Sequence, residues 1–93
     1  MHTHTAAGAA APIIEWLVER VAGYLDQPAY SVDTTLPLAE LGLDSVSAVS
    51  LCGEVEDEWD LELDATVVFD HPTIAELAGF IANEAVLHRE SAA

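Results

Sequence analysis

The sequence predicts an all-α protein: a small four-helix bundle of three main helices and one short helix, with a long loop between helices one and two. Three observations predict it. Ninety-three residues make a single domain with a modest core. Sixteen of them are alanine within a 52 % hydrophobic composition, which raises helix propensity throughout. Apolar residues also recur at steps of three and four in three separate stretches, the period of a helix with one buried face.

The opening segment, residues 1–11, has no positive n-region and no long apolar run, and it is expected to be a disordered tail rather than a leader. His2 and His4 there suit a frayed tail better than a metal site. The folded domain is expected over 12–88, with 89–93 a second disordered tail. Pro12 is suited to a first helical turn, and Ile14, Leu17, Val18, Val21 and Leu25 follow at helical spacing while Glu15, Glu19 and Arg20 fall elsewhere. Pro28 disfavours helical geometry at Gln27, so this helix is expected to stop near Leu25 or Asp26. From Gln27 to Asp44 the chain carries Pro28, Asp33, Thr34, Thr35 and Pro37, with Leu36, Leu38 and Leu41 spaced to pin it to the bundle. Ordinary helix connections are shorter, and a long ordered loop in a compact domain is often functional.

That loop ends at Leu41-Gly42-Leu43-Asp44-Ser45. Gly42 permits a tight turn, the two leucines can anchor it, and Asp44 or Ser45 can cap the amides of the next helix. Ser45 is thereby held outward on a rigid support. In a helix from Ser45 to about Trp59, Ala48, Leu51, Cys52, Val55 and Trp59 share one buried sector. Cys52 reads as a buried small hydrophobe. The opposite sector gathers Val46, Val49, Ser50 and Gly53, flanked by Glu54 and Asp57.

After Trp59, Leu61 and Leu63 alternate with Asp60, Glu62 and Asp64. A lone short strand would have no partner, so an extended connector is expected. The same stretch lacks the central Gly and final Glu of a calcium loop, and no metal site is expected. Thr66 to Phe69 suits one short helical turn, and Asp70-His71-Pro72-Thr73 resets the chain into a last helix with Ile74, Leu77, Ala78, Ile81 and Ala85 on its buried stripe.

Charge excludes whole classes of partner. The only basic side chains are Arg20 and Arg89 against seventeen carboxylates, a formal net charge of −15, so nucleic acid is repelled. A protein with a basic patch is the natural partner, met by salt-sensitive steering. No segment approaches the length of a membrane span. One cysteine allows no internal disulfide, and a cytoplasmic location is expected. A monomer is expected too.

Ser45 lacks the setting of a hydrolytic nucleophile. A Gly-x-Ser-x-Gly elbow is absent, His71 and His88 lie on later elements, and a chain this small makes no deep, dry cleft. No catalytic residue is expected.

Leu41-Gly42-Leu43-Asp44-Ser45-Val46 resembles the phosphopantetheine attachment motif of acyl carrier proteins. Ala65-Thr66-Val67-Val68-Phe69-Asp70-His71-Pro72-Thr73-Ile74, followed by Leu77-Ala78, resembles the third-to-fourth helix segment of polyketide synthase carrier domains. The two blocks stand in the right order and distance, and the resemblance spans about Ile13 to Leu87. It implies a four-helix acyl carrier whose Ser45, next to its motif neighbour Asp44, receives a covalent 4′-phosphopantetheine arm. The arm comes from coenzyme A through a separate magnesium-dependent phosphopantetheinyl transferase. It implies an acyl thioester cargo presented to ketosynthase, acyltransferase and other enzymes with basic patches. By position, Val46, Val49, Glu54, Glu56 and Asp57 match the second-helix surface that partners of this family read. Gly53 stands where a larger apolar residue is common, and Ser50 where fatty-acid carriers often have an acid. The absence of arginine from the second helix, the initial Met and the high acidity suggest a freestanding carrier, with an excised domain as the alternative. The other readings are a fatty-acid carrier, and an acidic helical interaction module that carries nothing. A helix amino terminus favours the arm's phosphate while the Asp44 carboxylate opposes close approach, so the arm is expected to swing outward.

Overall fold

The computed structural model describes residues 6–92, and side-chain environments over 10–86. Five α-helices run in order: α1 Ala6–Leu25, α2 Leu38–Leu41, α3 Ser45–Trp59, α4 Val67–Asp70 and α5 Ile74–Ala92, with a 3-10 turn at Ala29–Ser31. Among the described residues the elements are all helical. The expected three long helices and one short helix are α1, α3, α5 and α4. The loop adds α2, one further helical turn that the spacing of Leu36, Leu38 and Leu41 did not reveal.

Two boundaries differ from expectation. α1 begins at Ala6, not Pro12, so residues 6–11 are helical rather than a tail. Pro12 removes one amide donor from this helix, but the alanine-rich turn before it has high propensity and Ala10 is buried against the core. α5 likewise continues to Ala92, through residues placed in the second tail. His2 and His4 lie outside the described residues.

The core joins Leu17 and Val21 of α1, Leu51 and Val55 of α3, and Ile74, Leu77 and Ile81 of α5, all essentially inaccessible to water. α1 buries Ile13 more completely than Ile14, because the helix phase runs Ile13, Leu17, Val21. Cys52 is buried, its thiol pushed upward by burial and then by the nearby Glu56 and Asp64 carboxylates. That environment suits a packing residue, since a thiolate is disfavoured there.

The long loop is stitched to the far side of the bundle. Leu38 N–H donates to the Pro72 carbonyl at 2.8 Å, and Ala75 N–H donates to the Thr34 carbonyl at 3.1 Å. Pro37 and Thr73 form an isolated antiparallel bridge between these bonds. Leu38 is buried, whereas Leu36 remains exposed. The loop therefore has fixed ends, and the end that matters opens α3.

Candidate functional site

α2 closes on Gly42, whose φ of 107° lies in the left-handed region where a side chain is strained. Gly42 N–H donates to the Ala39 carbonyl at 3.1 Å and Leu43 N–H to the Leu38 carbonyl at 3.0 Å, a helix stop that turns the chain sharply. Leu43 is buried and anchors the turn. The next residue, Asp44, is the N-cap of α3: its Oδ1 accepts from Ser47 N–H at 2.8 Å, and its carbonyl accepts from Ala48 N–H at 2.9 Å. Of the two caps open in the sequence, the structure uses Asp44. The Ser47 amide, with help from the Ser47 hydroxyl, holds the Asp44 carboxyl below its usual range.

Ser45 is consequently the first residue of α3, exposed, with its hydroxyl free of the capping duty. The turn before it is fixed by two helix ends and one buried leucine. Beside it Val46 is 74 % exposed and Val49 50 % exposed. Phe69, on α4, is another exposed large hydrophobic side chain.

The five residues matched to a partner-reading surface divide into two groups. Val46, Val49 and Asp57 face solvent. Glu54 and Glu56 are half-buried and engaged within the chain. Glu54 accepts a hydrogen bond from the Tyr24 hydroxyl, and its other oxygen lies 3.6 Å from Arg20 Nε. Burial first, and then this carboxylate, push the Tyr24 phenol up to about 12. Glu56 Oε2 accepts from Leu63 N–H at 2.8 Å, tying the connector after α3 back onto the helix.

Sequence reasoning did not foresee the Glu54 cluster. Arg20 lies 4.9 Å from the centre of the Trp16 ring, and Trp16 meets Trp59 edge to face at 4.8 Å. These groups close one side of α1 onto α3 around an open groove of about 300 Å³ lined by Glu19, Arg20, Gly23, Tyr24 and Glu54. The available signal was the stripe Trp16, Arg20, Tyr24 at steps of four, which marks a polar, aromatic face of α1. His71 also has a packing role: its ring stacks on Phe80 with centroids 4.6 Å apart. Among the described residues no group of three or more His, Cys, Asp or Glu side chains is arranged to hold a metal, and no helix is long and apolar enough to cross a membrane.

The chain is 40 % identical over 68 residues to a phenolphthiocerol/phthiocerol polyketide synthase of Mycobacterium tuberculosis, covering 73 % of this chain and 4 % of that protein. It is 39 % identical over 71 residues to the pikromycin polyketide synthase component PikAII of Streptomyces venezuelae, covering 75 % of this chain and 2 % of that one. It therefore spans a small fraction of the length of these curated relatives. Among solved structures, a free-standing peptidyl carrier protein of Acinetobacter baumannii superposes with a TM-score of 0.77 at 32 % identity, over 81 % of this chain and 94 % of that one. The acyl carrier protein LipD of Actinoplanes friuliensis superposes with a TM-score of 0.68 at 41 % identity, over 91 % and 94 % of the two chains. The model of the phosphopantetheine attachment site family matches residues 15–81, which contain the whole Gly42–Ser45 turn, all of α3 and α4, and the start of α5. This chain belongs to that family, the carrier proteins that bear a covalent 4′-phosphopantetheine, and is homologous to the carrier domains of polyketide synthases.

Proposed function

We propose that Ser45 is the attachment residue and that the chain tethers acyl or polyketide intermediates there for delivery to biosynthetic enzymes. The observation that carries this reading is the exposed Ser45 at the first position of α3, immediately after a side-chain cap made by Asp44, inside the matched region. The residues suit the group. Amides at the amino end of α3 favour a phosphate, whereas the ionised Asp44 next to it disfavours an inward fold, so the phosphodiester is directed away from the bundle. In the transfer step, Ser45 Oγ forms a bond to the phosphorus nearest the pantetheine, and the pyrophosphate bridge of coenzyme A breaks. The nucleotide half leaves, and the hydroxyl proton passes to the transferase. When bound, the arm supplies a terminal thiol that holds an acyl group as a thioester at high effective concentration near a docked enzyme.

The polyketide synthases among the relatives favour polyketide over fatty-acid cargo. A phosphopantetheinyl transferase, a ketosynthase and an acyltransferase are then the partners, in the cytoplasm, with the carrier contributing position and no catalysis. The test is intact mass after incubation with coenzyme A, magnesium and a promiscuous phosphopantetheinyl transferase. One arm mass is expected on the wild type and none on Ser45→Ala, whose fold is checked by circular dichroism. Addition to Ser45→Ala would move the site elsewhere. A folded, arm-free wild type that gains nothing would leave an acidic interaction module as the function.

A further inference from the structure

The groove between α1 and α3 holds a guanidinium that its neighbours keep in one orientation. Arg20 lies 4.9 Å from the centre of the Trp16 ring and meets Glu54 through Nε at 3.6 Å, yet half of its side chain stays exposed. Beside Nε a guanidinium has two further amino groups, which donate in a rigid, planar fork. Gly23 forms part of the groove wall, and a Cβ built on it meets nothing within 4 Å, so no neighbour in the chain requires the missing side chain. Glycine inside a helix is unfavourable relative to alanine, and here it keeps the groove open. The volume of about 300 Å³ is at the small end of ligand sites and suits a short fragment. Its charged lining sets two carboxylates, Glu19 and Glu54, against the one guanidinium.

The groove also lies within reach of Ser45. Leu25, the neighbour of Tyr24, has its Cδ2 3.5 Å from the place a Cβ on Gly42 would take, so the end of α1 abuts the turn that delivers Ser45. On α3 the Ser50 hydroxyl reaches the Tyr24 oxygen, and five residues of helix put Ser50 about 7.5 Å along the axis from Ser45. A 4′-phosphopantetheine arm has about fourteen bonds from the serine oxygen to its sulfur, and an extended chain advances about 1.2 Å per bond, so the thiol reaches ~16 Å. That is enough to leave the phosphate outside and still pass around α3 to the groove.

Resting on the carrier reading, we infer that this groove is a resting site for β-oxoacyl cargo on the arm. The two carbonyl oxygens of the 1,3-dicarbonyl accept hydrogen bonds from the Arg20 fork, and the acyl tail lies on Gly23 beside Tyr24. A saturated acyl thioester lacks the second acceptor. A malonyl group brings a carboxylate, which Glu19 and Glu54 repel. The groove thereby favours a neutral, extended intermediate over both the extender unit and the fully reduced chain. Tethering makes an open groove sufficient, because the arm presents the cargo at high effective concentration. A free anionic metabolite has no such help and is repelled by a chain of net charge −15.

The experiment loads the apo protein from 3-oxobutyryl-, butyryl- and malonyl-coenzyme A with a promiscuous phosphopantetheinyl transferase, confirms each product by intact mass, and compares backbone amide NMR spectra with that of the unacylated holo form. The 3-oxobutyryl form is expected to shift the Gly23, Tyr24 and Glu54 amides, while the butyryl and malonyl forms leave them at their holo positions. Gly23→Leu, which fills the groove from its wall, and Arg20→Gln, which removes the fork, should each lose the 3-oxobutyryl shifts. Equal shifts from butyryl cargo, shifts that survive in both variants, or shifts confined to the α4 side of the bundle would overturn the groove assignment and leave the carrier reading standing. A folded wild type that accepts no arm from any of the three donors would instead remove the carrier reading, and this inference with it.

Discussion

Replacing glycine by alanine at Gly42 and at Gly53 adds the same methyl group, and the two changes should move stability in opposite directions. At Gly42 the new Cβ would lie 3.5 Å from Leu25 Cδ2, an ordinary contact, so the cost comes from the backbone and not from a clash. With φ at 107°, an L side chain is held in a region that costs on the order of 1–3 kcal/mol. Alanine returns roughly 0.4–1 kcal/mol by restricting the unfolded chain. The net loss is about 1–2 kcal/mol, and a domain of this size shifts by roughly 4–8 °C per kcal/mol, so Gly42→Ala should melt about 4–16 °C lower. At Gly53 the helix is regular and the added Cβ points into open space, so the propensity difference of about 1 kcal/mol is gained and the melt should rise by roughly 4–8 °C. Thermal unfolding followed by far-ultraviolet circular dichroism, on apo protein at one concentration, measures both. Shifts of the same sign, or a Gly42→Ala variant as stable as the wild type, would refute the assignment of the turn's cost to backbone geometry.

Raising pH tests the Tyr24–Glu54 contact. The folded phenol is pushed up to about 12 from an ordinary 10.0, so the fold retains a proton the unfolded chain has lost; the stabilisation is complete below pH 10 and disappears by about pH 12. Tyr24→Phe should flatten that alkaline decline in melting temperature, and an unchanged profile would disprove the coupling. Acidification tests the turns: Asp33, Asp44 and Asp64 are held below 3.8 by hydrogen bonds from Thr35, Ser47 and Thr66. Their folded values lie below the unfolded value, so their contribution is present above pH 3.8 and vanishes as pH falls through the folded values. The Asp33→Asn, Asp44→Asn, Asp64→Asn triple variant should lose less stability than the wild type over that interval, as read by urea unfolding at each pH.

The helix-forming stretches were legible because their signals are local. The apolar steps in 17–25, 48–55 and 74–81 each describe one buried face, and Gly42 with Asp44 announces a stop followed by a start. The exposed helix start at Ser45 was legible for the same reason. Pro12 misled because its rule concerns one hydrogen bond, while the surrounding alanines act over a whole turn. The turn α2 escaped notice because Leu38 owes its place to a hydrogen bond with Pro72, which no periodicity encodes. Glu54 and Glu56 looked like free acids on an acidic helix. Their engagement depends on Tyr24, distant in sequence, and on the Leu63 amide beyond the helix end.

The stitching of the long loop to the turn before α5 also bears on how the chain is made. Thr34 and Leu38 are synthesised well before Ala75 and Pro72, their respective hydrogen-bonding partners. A nascent chain that has emerged only through α3 therefore possesses Ser45 without the hydrogen bonds that pin the loop leading to it. Such contacts between distant segments carry a closure cost that must be met before they stabilise anything. The proposed modification of Ser45 should accordingly become possible late, on completion of the α4–α5 turn.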